Sequence, residues 1–242
     1  MPWFGRNLFI LFALLCSRTL LAQTMADTSV YNAAVVNMIR HFDGTLQDGG
    51  RLYNGFLFHG YESSIRGNPF LDDNSGFTNG SVDYDSEVFE NVPMTYDIYA
   101  DQLIVHLDND NSYGLVRERV QSFNIHNRHF ILINDGKLKM GYYEQLYLGK
   151  VQVINRVEKK ILASFKPSGT ERDFVPVQNF QQYYIKKNGN YYSVSSLGDV
   201  LSVFADKKKE LKQFIKKNNI QFDKLKEYSF GQIAAYYDRL TQ

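Results

Sequence analysis

The chain has 242 residues, 44% hydrophobic and 22% charged, with 27 Lys and Arg against 26 Asp and Glu. That length and balance exclude a disordered segment and fit one globular domain with a core of its own. A near-neutral chain has no global field to draw in a polyanion, so no nucleic-acid partner is expected. Aromatic residues make up 15% of it, including 17 Tyr and 18 Phe, a composition suited to pleated, half-buried strands.

Residues 1–22 read as a secretory signal peptide. Arg6 supplies the positive charge, and the apolar run 8–16 spans 9 residues. That suits a signal core and is too short to cross a bilayer. Small Ala22 precedes Gln23, so cleavage is expected between Ala22 and Gln23. Loss of Arg6 and Arg18 leaves 25 bases against 26 acids. A lipoprotein signal needs small residues before its cysteine, whereas Leu14 and Leu15 precede Cys16, so lipidation is not expected. Cys16 is the single cysteine, and a mature chain without it forms no disulfide. The expected compartment is the periplasm or the extracellular space.

Residues 27–42 read as a short N-terminal helix, from Val30, Ala33, Ala34, Ile39 and Phe42 at helix-like spacing. Asp43-Gly44 and Gly49-Gly50 end it. From Leu52 the pattern changes to strands, over 52–59, 82–84, 88–96, 103–107, 120–125, 129–134, 142–148, 151–157, 182–185 and 191–194. Turn signals separate them: Asp85-Ser86, residues 108–112, Asn134-Asp135-Gly136, Gly149-Lys150 and Asn188-Gly189. Short strands with tight turns and no intervening helix predict an antiparallel meander. A sheet of that many strands twists strongly and curls into a barrel, a half-barrel or a sandwich. Loops 66–80 and 165–174 interrupt the series.

The C-terminal end reads as a pair of amphipathic helices packed on the sheet. Leu197, Val200, Leu201, Phe204, Leu211, Phe214 and Ile215 share one face. Ser196 and Asp199 form a capping box at its start. Lys207, Lys208, Lys209, Lys212, Lys216 and Lys217 cover the other face, and Asn218 and Asn219 end the helix. The second helix carries Phe230, Ile233, Ala234, Tyr237 and Leu240, with Ser229 as its N-cap. The fold expected is therefore mainly β, of the α+β class. Residues 23–195 form the N-terminal helix and β domain, and residues 196–242 the helical pair.

Little in the sequence carries chemistry. Asp108, Asp110 and Ser112 have the alternate spacing of a calcium loop. Tyr113 then stands where Gly is needed and Arg119 where a bidentate Glu belongs, so a hairpin turn is the better reading. Asp72, Asp73 and Asn74 before Gly76 read as a loop rather than a cation site. His126 and His129, three apart on a strand, point to opposite faces and cannot share a metal simply. There is no Gly-x-Ser-x-Gly elbow and no glycine-rich phosphate loop. No catalytic residue, metal ligand or cofactor is assigned. The one Trp, Trp3, lies in the signal segment, so sugar stacking would fall to Tyr. The Lys-rich helix face is either solvated or a membrane-surface contact, and Asp206, Glu210 and Asp223 dilute its field.

Several short motifs carry a resemblance: Leu52-Tyr53-Asn54-Gly55, Asn68-Pro69-Phe70, and Gly80-Ser81-Val82 with Tyr84. Asn91-Val92-Pro93 with Tyr96-Asp97 and Asp101 follows, then Tyr236-Tyr237 after the Lys-rich segment. In these the chain resembles exported β-rich proteins of Bacteroidetes-type Gram-negative bacteria. The resemblance implies export and fold and no particular activity, because the Gly, Pro, Asn and Asp in these motifs serve turns. The expected role is a non-enzymatic envelope protein that binds an apolar or amphipathic ligand, or a protein partner, or serves as a scaffold. The alternative is a hydrolase acting on cell-envelope glycan or lipid. A cleft with two facing carboxylates, or a buried His–carboxylate pair, would favour the hydrolase, and a deep apolar concavity without titratable groups the binder. If the C-terminal helix fills the concave face, binding moves to loops 66–80 and 165–174.

Overall fold

A computed structural model describes residues 50–61, 68–107, 111–161 and 177–242. The Ala22–Gln23 cleavage point, the expected helix 27–42, Asp108, Asp110 and loop 165–174 lie outside these residues.

Among the described residues, eleven strands form one antiparallel sheet. They are β1 (Phe56–Leu57), β2 (Thr78–Tyr84), β3 (Glu87–Asp97), β4 (Gln102–Leu107), β5 (Asn111–Gly114) and β6 (Val120–Ile125). Then come β7 (Arg128–Ile133), β8 (Gly141–Leu148), β9 (Gln152–Ile161), β10 (Val177–Lys187) and β11 (Asn190–Val194). Three hairpins close through two-residue turns with φ positive at both positions: Asp85-Ser86, His126-Asn127 and Asn188-Gly189. That geometry matches the twist of the flanking strands, and Asp, Asn and Gly enter it readily.

The spatial order is β1-β5-β4-β3-β2-β6-β7-β8-β9-β10-β11. This departs from a pure meander at two places: β1 pairs with β5 and not with the following β2, and β6 pairs with β2 and not with the preceding β5. Residues between β5 and β6 cross the end of the sheet. There Leu115 N–H donates to Leu103 O at 2.9 Å, and Arg117 donates to the carbonyls of Ala100 and Asp101 at 3.0 and 2.8 Å. Turn spacing cannot reveal such a crossover, since it fixes where strands end and not which ones pair.

Among the described residues the sheet is open, with β1 and β11 at its edges, and it curls. Tyr96 on β3 meets Tyr142 on β8 at 5.7 Å between ring centroids. Four strand spacings would put them about 19 Å apart in a flat sheet. Register shifts in β2 and β8 add to the bend. The concave face carries Tyr84, Tyr96, Phe123, Phe130 and Tyr142, each 0–1% exposed. Phe123 and Phe130 stack at 4.9 Å, and Tyr96 and Tyr142 stand edge-on to Phe123 at 5.2 and 5.0 Å.

Further along the same face, three helices cover β8 to β11. They are α1 (Leu197–Val203), α2 (Lys208–Lys217) and α3 (Lys226–Leu240). Their apolar residues Leu201, Leu211, Phe230 and Ile233, with Phe204 between α1 and α2, join Val153, Tyr183, Ile185 and Val194 in a second core. The Ser196–Asp199 capping box forms as the sequence predicts. The single helix expected over residues 197–217 is instead broken at Phe204, whose φ of −101° and ψ of 37° leave helical space. Phe204 is fully buried and stacks on Tyr237 at 4.1 Å, and tertiary packing overrides helix continuity. Ser229 is not an N-cap. The helix begins a turn earlier, after Leu225, and Ser229 N–H makes an ordinary helical bond to Leu225 O.

Other boundaries move as well. The expected strand 52–59 shrinks to β1, and Leu52 is buried in the first core. Loop 66–80 ends at Phe77, because Thr78, Asn79 and Gly80 pair with Met94, Pro93 and Val92. Asn and Gly have low strand propensity, and Asn79 and Gly80 hide such a start. Asn111 and Ser112, read as turn, open β5. No described helix is long and apolar enough to cross a membrane.

Candidate functional site

The loop between residues 68 and 77 is held by a buried cation. Lys159, on β9, has a side chain only 2% exposed. Its ammonium donates to Asn68 O at 2.5 Å, Phe70 O at 2.7 Å and Asp73 Oδ1 at 2.6 Å. A buried charge is tolerable only when paired and hydrogen-bonded in this way. Three donors fill three acceptors, and the loop is clamped to the sheet.

The clamp presents Asp72 outward, at φ 54° and ψ 25°. It meets the β6–β7 turn, where His126 takes φ 52°. His126 Nδ1 lies 3.1 Å from Asp72 Oδ2, and its Nε2 lies 3.1 Å from Thr78 Oγ1 on β2. Asn74 Nδ2 stands 3.4 Å from the same Nε2. The carbonyl end of the Asn74 amide accepts from Gly76 N–H at 2.9 Å, which turns its NH2 toward the imidazole. Arg128 Nη1 donates to the other oxygen of Asp72 at 3.0 Å. With Nδ1–H donated to the carboxylate, Nε2 is left to accept the Thr78 hydroxyl proton.

Thr78 and His126 open onto a cleft of about 420 Å³ between β2, the bulged middle of β3 and the β6–β7 turn. Asn79, Glu90, Asn91 and Asn127 line it, and all four are exposed. Next along the chain, Phe77 lies against His106 at 4.9 Å and is 40% exposed.

A polar seam crosses the concave face between the two cores. Arg128 binds Glu144 through Nε and Nη2, at 2.8 and 2.7 Å, and Asn155 Nδ2 donates to Glu144 at 3.2 Å. Burial works against the Arg128 cation, but the Glu144 hydrogen bonds and charge outweigh it and hold the proton more tightly than usual. Beyond Asn155, Tyr183 O–H donates to Glu227 at 2.6 Å.

A second cleft, of about 480 Å³, opens at the end of the sheet where residues 98–101 meet β9. Arg156 joins Asp101 at 2.9 Å and Glu158 at 3.0 Å, and its guanidinium lies over the Tyr143 ring at 5.2 Å. Gly141 borders this pair, and any Cβ there would strike Arg156 and Asp101. Partial burial raises the Glu158 carboxyl, but Lys139, Arg156 and Lys160 bring it down to about 2. Beside it, burial raises Asp97 against the N–H groups of Ala100 and Tyr99 and the Tyr61 hydroxyl. The cations of this cleft are spent on its own carboxylates and carbonyls.

Of the residues weighed in sequence, Asp72 and Asp73 do not converge on one point. One pairs with His126 and Arg128, the other with Lys159. His126 and His129 diverge, His129 Nδ1 facing Asn124 Oδ1 at 2.8 Å. Ser112 meets His106 Nδ1 at 3.2 Å, and Arg119 pairs with Asp85 at 3.1 Å. Lys208, Lys209, Lys212, Lys216 and Lys217 are exposed on α2. Thr78 is the residue that sequence reasoning missed. It lies 48 positions from His126, and Asp72 lies 54 positions from it, so no local spacing signals the group. Comparison with protein-family models, curated proteins and solved structures gives no match to this chain.

Proposed function

We propose that this chain is an exported envelope protein that binds a hydroxyl-rich, glycan-type ligand at the cleft beside Thr78 and His126. One observation carries the reading: among the described residues the concave face is occupied by the protein's own rings and helices, which leaves polar clefts at the loop ends for a ligand. In the Thr78 cleft, the side chains of Asn79, Asn91 and Asn127 have no hydrogen-bond partner among the described residues. Free amides, each both donor and acceptor, match the hydroxyls of a sugar. Outside the cleft lining and two residues before Asn79, the exposed Phe77 ring on His106 offers an apolar plate for a sugar ring that extends beyond the cleft.

The same reading takes the curl from β3 to β9 as a half-barrel rather than a sandwich, because one continuous sheet supplies the rings that meet across it. Export with cleavage after Ala22 belongs to the proposal. Titrating the purified mature protein with polysaccharide from a Gram-negative envelope, by calorimetry, tests the binding. Asn79→Ala, Asn127→Gly and Phe77→Ala are each expected to weaken it about tenfold or more, the equivalent of one good contact. Asn127→Gly keeps the positive φ of the turn. Affinity unchanged in all three variants would sink the proposal. A second reading, a hydrolase of envelope glycan, is favoured by the 3.1 Å contact between Asp72 and His126.

A further inference from the structure

We propose that Thr78 is a nucleophile, His126 its general base and Asp72 the residue that positions the base, and that the site removes short acyl groups from ligand hydroxyls. The inference rests on the glycan-type ligand proposed above and adds a reaction to it. Two segments far apart in sequence, the loop leading into β2 and the β6–β7 turn, bring together the hydroxyl, imidazole and carboxylate of an acyl-transfer site, at 3.1 Å and 3.1 Å. The carboxylate is itself oriented, by Arg128 at 3.0 Å. The Asn74 NH2 lies beside Nε2, with its amide fixed by Gly76, and in this proposal it turns to donate to the developing oxyanion.

The cleft argues for the substrate class. Among the described residues its side chains are amides, hydroxyls, the His126 imidazole and one carboxylate, with Ile125 the one aliphatic side chain. A long acyl chain would find no apolar channel there, whereas an acetyl ester on a sugar hydroxyl would fit. In the first step Thr78 Oγ bonds to the ester carbonyl carbon while its proton passes to His126 Nε2. The tetrahedral species collapses, the ester C–O bond breaks, and His126 returns the proton to the departing sugar oxygen. Water, deprotonated by His126, then cleaves acetyl-Thr78 to acetate and restores the hydroxyl.

The test is hydrolysis of p-nitrophenyl acetate and of O-acetylated polysaccharide by the whole mature chain, with each variant's melting curve recorded. Thr78→Val keeps the shape and loses the hydroxyl, and His126→Gln loses the base. Both are expected to lower kcat about 100-fold or more, while Thr78→Ser retains activity. Asp72→Asn should lower kcat and leave KM unchanged, since it acts through His126. An acetyl adduct on Thr78, trapped by acid quench and located by peptide mass spectrometry, would support the mechanism. Equal rates for the wild type and a folded Thr78→Val, or an adduct elsewhere, would overturn it. Polysaccharide binding without turnover sinks this reaction and spares the binding site; turnover of the small ester without polysaccharide binding does the reverse.

Discussion

The two halves of the concave face are buried by different means. From β3 to β8 the sheet curls until its own rings meet, with Phe123 among Tyr96, Phe130 and Tyr142. From β8 to β11 the rings do not close on one another, and α1, α2 and α3 supply the second layer, as where Phe230 stacks on Tyr183 at 4.8 Å. The Arg128–Glu144–Asn155 seam lies between. A strongly curved sheet can be both walls of its core, whereas a flatter stretch needs a partner layer. The curled half therefore leaves its loop ends free to build clefts, while the other half spends its helices on coverage.

The sharpest way to break this comparison is to remove one ring from each core. Phe123→Ala and Phe230→Ala should each cost about 3–5 kcal/mol in denaturant unfolding. The two rings belong to separate clusters, so the double variant should be additive to within about 0.5 kcal/mol. A larger coupling would show that the seam joins the halves into one packing unit.

A smaller effect is expected at the seam. Glu144→Leu removes the bidentate partner of Arg128 and should cost about 1.5–3 kcal/mol, the usual worth of hydrogen bonds to a charged group. Hydrogen exchange should then show faster opening on both sides of the seam. A change confined to the helices would mean that the seam serves that half alone.

Acid should act weakly on both halves. Glu158, at the end of the curled half, is held at about 2 against an ordinary 4.5. Its contribution is fully present above pH 4.5 and fades as pH falls toward 2. Asp199, in the α1 cap, is likewise held at about 2, by the N–H groups of Ser195 and Ser196. Its contribution is present above its ordinary 3.8 and fades over the window below that. Thermal melts between pH 5 and 2.5 should decline less steeply for Glu158→Gln and for Asp199→Asn than for the wild type. Parallel slopes would mean that these carboxylates do not govern acid sensitivity.

Local signals in the sequence settled local things. Asp85-Ser86 and Asn188-Gly189 announce tight hairpins because few other residues accept positive φ. Alternating Tyr, Phe and aliphatic residues announce strands, and Ser196 with Asp199 announces a helix start, because a cap satisfies backbone groups within one turn. What lay beyond one turn did not show. The pairing of β6 with β2, the break at Phe204 and the ring contacts across the curl depend on neighbours far along the chain. The candidate site belongs with them. Asp72 looked like loop, His126 like a strand residue and Thr78 like nothing in particular, since each type is common in such settings. Only curvature, the Lys159 clamp and the placing of one turn over one loop brought the three within hydrogen-bond reach. Geometry of that kind is set by long-range packing, which a linear pattern of polarity does not encode.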